Sequence, residues 1–173
     1  MIQRVARFDE VADHALDSIR GNRVIDRLMF SASAVGDFSA IWQAINLVGA
    51  LAGRHSWRWA LSFALCLGAE SLIVNQGVKR LFKRRRPDAP PGTPHQVRRP
   101  RTSSFPSGHA SAATVAAMLL SSEHSRETPL WVAAAAIVAL SRPYVRVHHA
   151  SDVAGGVVVG GLLGAAFLML PLR

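Results

Sequence analysis

Apolar residues fall in long blocks separated by short polar stretches. Leu28 to Ala50 holds one charged residue, Asp37. Arg58 to Val78 opens on Arg58 and carries only Glu70 within, while Pro129 to Ser141 and Val153 to Leu172 carry none. A helix needs roughly 20 residues to cross about 30 Å of hydrocarbon. The first, second and last blocks reach that length and Pro129 to Val145 nearly does. Spans are predicted near 28–50, 57–81, 107–122, 129–145 and 152–172, the third short and opening on Pro106-Ser107-Gly108, a helix start. The expected fold class is all-α, a polytopic membrane helical bundle of about five transmembrane helices.

Residues 2 to 20 show a different pattern. Ile2, Val5, Phe8, Ala12, Leu16 and Ile19 share one helical face, with Arg4, Arg7, Asp13 and Arg20 elsewhere. That is the spacing of an interfacial amphipathic helix, and a solvated helical arm fits it equally. The chain thus divides into an N-terminal helix, 1–27, and a transmembrane domain, 28–173. Asp9, Glu10, Asp13 and Asp17 interrupt any apolar core that a cleavable signal would need. Gly53 to Ser56 and Ser121 to Thr128 are tight connections, and Phe82 to Phe105 is the one long loop, rich in Pro and Arg. Gly155, Gly156, Gly160, Gly161 and Gly164 bring i, i+4 small residues into the last helix, for close packing within the bundle or for a seam between copies of a homo-oligomer.

Composition changes this picture little. The net charge of +9 would point a soluble domain toward nucleic acid, but the charge is gathered between apolar blocks and no nucleic-acid partner is expected. The single cysteine, Cys66, excludes an internal disulfide and reads as a small buried hydrophobe.

Polar residues gather at three places: Lys79 through Arg86-Pro87 after the second span, Pro106-Ser107-Gly108-His109 opening the third, and Ser141-Arg142, His148 and Asp152 between the fourth and fifth. Counting membrane crossings puts all three on one face. Lys79, Arg86 and Arg142 supply cations. Ser107 and the backbone N–H groups of Ser107, Gly108 and His109 supply donors at a helix N-terminus, where the dipole favours an anion. Such a set suits a phosphoryl group. Two histidines offer a nucleophile and a general acid. Asp152, one helical turn after His148, either orients that imidazole or, with Ser151, caps the last helix.

Lys79-x6-Arg86-Pro87, Pro106-Ser107-Gly108-His109 and Ser141-Arg142-x5-His148-x3-Asp152 resemble, in order and at full spacing, the three signature motifs of the type 2 phosphatidic acid phosphatase (PAP2) superfamily, over about residues 30 to 172. The resemblance implies a metal-independent phosphatase without a cofactor, which agrees with the lack of a carboxylate cluster suited to Mg²⁺ or Ca²⁺. It implies that His148 is the nucleophile that forms a phosphohistidine, that Asp152 orients it, and that His109 protonates the leaving oxygen. Lys79, Arg86, Ser107, Gly108 and Arg142 would hold the phosphate. Two positions depart from the pattern. Arg146 stands where relatives often have a small residue, and either reads a second anionic group on the headgroup or anchors the membrane interface. His149 replaces a common aromatic and reads as an interface histidine.

Glu70 and Asn75 read as structural hydrogen-bonding groups between helices, with a substrate role as the alternative; Asp37 has the same ambiguity. Lys83-Arg84-Arg85 with Arg98, Arg99 and Arg101 reads as an anionic-headgroup contact or a rim that attracts an acidic substrate. Of the 20 Lys and Arg, only Arg54, Arg58, Arg126 and Arg173 fall opposite the motif face. The positive-inside rule then puts that face in the cytoplasm, in a multi-pass protein of the cell (inner) membrane. The expected partners are membrane lipids and a lipid-linked phosphate. A cytoplasmic site suits a polyprenyl-linked phosphosugar such as decaprenylphosphoryl-5-phosphoribose. Phosphatidylglycerol phosphate, phosphatidate and undecaprenyl diphosphate are the alternatives, with a vanadium haloperoxidase or a non-catalytic anionic-lipid-binding protein more remote.

Overall fold

The computed structural model describes residues 2–88 and 102–171; the arginines expected at 98, 99, 101 and 173 lie outside them. The described residues form seven α-helices and no strand: α1 (Ile2–Asp17), α2 (Arg23–Val35), α3 (Ala40–Leu51), α4 (Trp57–Ser71), α5 (Gly108–Glu123), α6 (Thr128–Tyr144) and α7 (Ala150–Leu168).

Helix α5 is the axis of the bundle. Ala110, Ala113, Val115, Ala116 and Leu119 on several of its faces are fully buried, the mark of a core helix rather than an amphipathic one. Packed around it are α4, α6 and α7. Close approach of α7 depends on glycine: a Cβ on Gly156 would lie 2.4 Å from the Ser107 carbonyl oxygen, one on Gly160 2.5 Å from that of Ser111, and one on Gly164 2.6 Å from Met118 Sδ. The i, i+4 stripe read from the sequence therefore packs inside the bundle. The aromatic core (Trp42, Trp59, Phe63, Trp131) lies with Leu119 and Leu120 toward the far end of α5, which leaves its N-terminal end for polar groups. Leu61, Leu65, Val132, Leu140, Val158 and Leu162 face outward.

Two elements differ from the expected spans, and both differences serve the polar end. The first span is broken. Helices α2 and α3 are bent by 68° at Gly36 to Ser39, where Phe38 (φ 55°) and Ser39 (φ 59°) adopt left-handed backbone. The second span leaves α-geometry after Ser71, passing through a π turn (Leu72–Gly77) and a 3₁₀ turn (Val78–Leu81). A π turn inserts one residue and so rotates the rest of the span by about 100°, which turns Lys79 inward to 7% exposure. Among the described residues, Trp57–Leu81 (25 residues) and α7 (19 residues) are each long and apolar enough to cross a membrane, and the bent α2–α3 pair makes a third if it is one span. At 16 and 17 residues, α5 and α6 are shorter than that.

Candidate active site

The three polar groups meet at the N-terminal end of α5, around His148. The turn that carries this residue is tight: Val145 N–H donates to the Ser141 carbonyl at 2.9 Å, Val147 N–H to that of Arg142 at 3.1 Å, and Arg146 reverses the chain at φ 54°. His148 Nε2 lies 3.1 Å from Arg86 Nη1. A guanidinium has donors only, so this ring nitrogen presents its lone pair and the ring proton sits on Nδ1. That proton faces Asp152 Oδ2 at 3.6 Å. Burial above all holds the imidazole far below its usual 6.5, at about 3; Asp152 opposes the shift, and the charges of Arg86, Arg142 and Lys79 reinforce it. The ring is therefore neutral at physiological pH, with its bare nitrogen among cations. A nucleophile requires that state.

Asp152 is placed for both of the roles that its position allowed. Oδ2 accepts the His149 N–H at 2.8 Å, capping α7, while facing His148. A further donor, unforeseen from the sequence, is the fully buried Ser104, whose hydroxyl donates to Oδ2 at 2.5 Å. Its signal was its place two residues before the Pro106-Ser107-Gly108-His109 run.

The cations surround the same point. Arg86 is braced by donating to the Val147 carbonyl at 2.7 Å. Arg142, 1% exposed, donates through Nη1 to the Ser33 hydroxyl and, at 3.2 Å, to the Ser33 carbonyl. Its buried Nε has no partner among the described residues. A buried donor without an acceptor is costly, and an anion beside it removes that cost. Gly108 keeps the approach open, since a Cβ there would lie 2.9 Å from Asn75 Oδ1 and 3.5 Å from Lys79 Nζ.

Residues 58–172 match the family model of the PAP2 superfamily. The chain belongs to this superfamily. Decaprenylphosphoryl-5-phosphoribose phosphatase of Mycobacterium tuberculosis is 37% identical over 134 residues, covering 77% of this chain and 73% of that protein. The protein of that name from Mycolicibacterium smegmatis is 37% identical over 135 residues, 72% and 67% of the two chains. Among solved structures, the first transmembrane PAP2 type phosphatidylglycerolphosphate phosphatase, from Bacillus subtilis, superposes with a TM-score of 0.73 at 28% identity, covering 98% of this chain and 90% of that one. The chain is thus a membrane PAP2 phosphatase, of a family that works through phosphohistidine.

Three details of this PAP2 site depart from the sequence reading. The Ser107 N–H, expected to face phosphate, donates instead to the Asp152 carbonyl at 2.9 Å, and the Ser107 hydroxyl caps α5 by accepting the Ala110 N–H at 3.4 Å. Ser107 thereby ties α5 to α7, leaving Gly108 and His109 as the first-turn donors that no helical carbonyl takes. Arg84, read as part of a headgroup-binding run, turns inward: it donates to Asp152 Oδ1 at 2.7 Å, to Ser151 Oγ at 2.7 Å and to Asp9 Oδ2 at 2.6 Å. Arg146, read as a headgroup or interface residue, donates to Asp17 on α1 at 2.6 Å.

These last contacts make α1 one wall of the PAP2 active site. A cleft of about 490 Å³ opens between Asp9, Glu10 and Asp13 of α1 on one side and Arg84, Arg146 and His148 on the other. Asp9 is only 8% exposed and accepts the Ser151 N–H at 2.8 Å. The remaining acid candidate, His109, stands in the first turn of α5 with Nε2 3.1 Å from Asp37 Oδ1.

Proposed function

We propose that this PAP2 protein hydrolyses the phosphomonoester of a polyprenyl-linked phosphosugar of the decaprenylphosphoryl-5-phosphoribose kind, through a phosphohistidine on His148. The observation that carries the mechanism is the bare Nε2 of His148, turned toward Arg86 with Asp152 behind the opposite nitrogen. The phosphate sits among Lys79, Arg86, Arg142 and the N–H groups of Gly108 and His109. As Nε2 bonds to phosphorus, the bond to the sugar oxygen breaks and His109 gives that oxygen a proton. Charge on the imidazole rises in this step, and the Asp152 carboxylate offsets it. Water then attacks the phosphohistidine, His109 takes its proton, and phosphate leaves.

Identity of 37% to the two mycobacterial phosphatases over more than two thirds of the chain supports this substrate. Phosphatidylglycerol phosphate is the second reading, favoured by the fold shared with the Bacillus subtilis enzyme. In the membrane, α5 and α6 complete a five-span bundle with the bent α2–α3 pair, α4 and α7. The excess of basic residues on the motif side supports a cytoplasmic face of the cell membrane for the site. Helix α1 lies in the interface and packs on the phosphatase domain as one wall of its site. Val5, Phe8 and Val11, at 38%, 52% and 63% exposure, point to lipid while Asp9 points to the site.

The test is phosphate release in detergent with excess chelator, for wild type and His148→Ala, on both lipids, phosphatidate and undecaprenyl diphosphate. Wild type turning over the phosphosugar lipid fastest, with His148→Ala inactive and unlabelled by substrate phosphate, is the expected result. Turnover by His148→Ala overturns the mechanism; a faster rate on another lipid overturns the substrate.

A further inference from the structure

The break in the first span lies before residue 58, where the family match begins, and in none of the three motifs. It is costly. Phe38 and Ser39 hold left-handed backbone at φ 55° and 59°, a conformation that non-glycine residues adopt only under constraint. Phe38 itself is 81% exposed. The effect of the break appears one residue earlier, where Asp37 Oδ1 is brought to 3.1 Å from His109 Nε2. Gly36 completes the seat: a Cβ there would lie 2.8 Å from His109 Cδ2 and 3.0 Å from Val138 Cγ1, so the ring rests directly on backbone. One turn earlier, Ser33 holds Arg142. The end of α2 thus braces both a phosphate-binding cation and the second histidine.

We propose that Asp37 is the positioning residue of His109, holding Nε2 so that Nδ1 delivers the proton to the leaving oxygen. The proposal rests on the assignment of His109 as leaving-group acid. The step balances. The P–O bond breaks as the His148 Nε2–P bond forms, and the Nδ1 proton of a doubly protonated His109 moves to the departing alkoxide. His109 is left neutral, its remaining proton on Nε2 against Asp37. The contact is within ion-pair range, but the ring N–H is not aligned on the oxygen; catalytic hydrogen bonds are commonly loose in a free enzyme and tighten with substrate.

Asp37 also lies in the field of Arg142, so its competing role is a counter-charge for the phosphate site. Leaving-group dependence separates the two. Proton donation matters for a sugar or glycerol alkoxide and hardly at all for a nitrophenolate, whereas phosphate binding serves both. The experiment measures kcat/KM, which covers steps through departure of the leaving group, on a lipid-linked alkyl phosphate and on p-nitrophenyl phosphate. The enzymes are wild type, Asp37→Asn, Asp37→Glu, His109→Ala and the Asp37→Asn/His109→Ala double variant.

General acid catalysis contributes about 10²–10⁴-fold, and loss of its positioning group is expected to remove about 10–100-fold of that. Asp37→Asn should lose this much on the alkyl phosphate and under about 3-fold on the aryl phosphate, whose turnover also certifies that the variant is folded. Asp37→Glu should recover part of the loss, and the double variant should be no slower than His109→Ala alone, as for two groups acting in one step. Equal losses by Asp37→Asn on both substrates, or losses that multiply in the double variant, overturn the positioning role. Equal losses by His109→Ala on both substrates overturn the acid assignment beneath it, a result distinguishable because it appears with Asp37 intact.

Discussion

Gly156 and Gly161 sit five residues apart on α7, and alanine at the two positions should have opposite effects. A Cβ at 156 would stand 2.4 Å from the Ser107 carbonyl oxygen, whereas ordinary contact begins at 3.4 Å. Helix α7 must therefore retreat from α5 by about 1 Å, since the obstacle is backbone at the cap of a buried helix. Overpacking of this kind costs about 1–3 kcal/mol. The same retreat stretches the 2.9 Å Ser107 N–H to Asp152 carbonyl bond, one turn from the contact, and carries Asp152 and His148 with it. A misplacement of about 1 Å costs roughly 10²-fold in rate. At Gly161 nothing lies within 4 Å, so alanine there should only gain helix propensity, about 0.5–1 kcal/mol. Thermal unfolding in detergent and kcat on the lipid substrate should show Gly156→Ala less stable and about 10²-fold slower, and Gly161→Ala at least as stable and fully active. A fully active Gly156→Ala, or two variants that behave alike, would refute the view that glycine contacts set the catalytic register.

Arg84→Ala should cut kcat by about 10–100-fold through misplacement of Asp152. Arg84→Lys should fail to restore it, because one ammonium cannot span Asp152, Ser151 and Asp9 as the planar fork does. Loss of the Arg146 ion pairs to Asp13 and Asp17 should cost about 0.2–1 kcal/mol, since both carboxylates are nearly half exposed; a double-mutant cycle of Arg146→Ala with Asp17→Ala, followed by unfolding in denaturant, measures it. For His148, the folded pKa of about 3 lies below the usual 6.5, so the unfolded chain binds the extra proton first. The resulting stability is fully present above pH 6.5 and is lost as pH falls toward 3. Melting temperature should therefore fall between pH 7 and 5 in wild type and fall less in His148→Gln.

Much of the site was legible because chemistry and topology point the same way. Lys79, Arg86, His109, Arg142, His148 and Asp152 stand out as polar residues at the ends of apolar blocks, and the parity of membrane crossings brings those ends together. Residues whose roles depend on local backbone geometry were not legible. Arg84 lies in a basic run in which each arginine looks alike, and only the course of the chain after the 3₁₀ turn selects it for Asp152. The break at Gly36 has no proline to announce it, and left-handed Phe38 and Ser39 run against their own preferences, so the span reads as continuous. Asp9, Asp13 and Asp17 recur every fourth residue. A period of four puts them on one helical face, but nothing in the sequence indicates that this face meets Arg84, Arg20 and Arg146 rather than water.

The link from Asp9 to Ser151 joins residues 142 positions apart, and this separation governs when the enzyme comes to life. During synthesis α1 emerges with its carboxylates long before Arg84, and longer still before Ser151 and Asp152. Every intermediate shorter than that holds an N-terminal helix without its Ser151 contact and a His148 without the carboxylate that faces it. Catalytic competence therefore arrives in one late step, when the last helix slides its glycines against α5 and presents Ser151 to a carboxylate made at the outset.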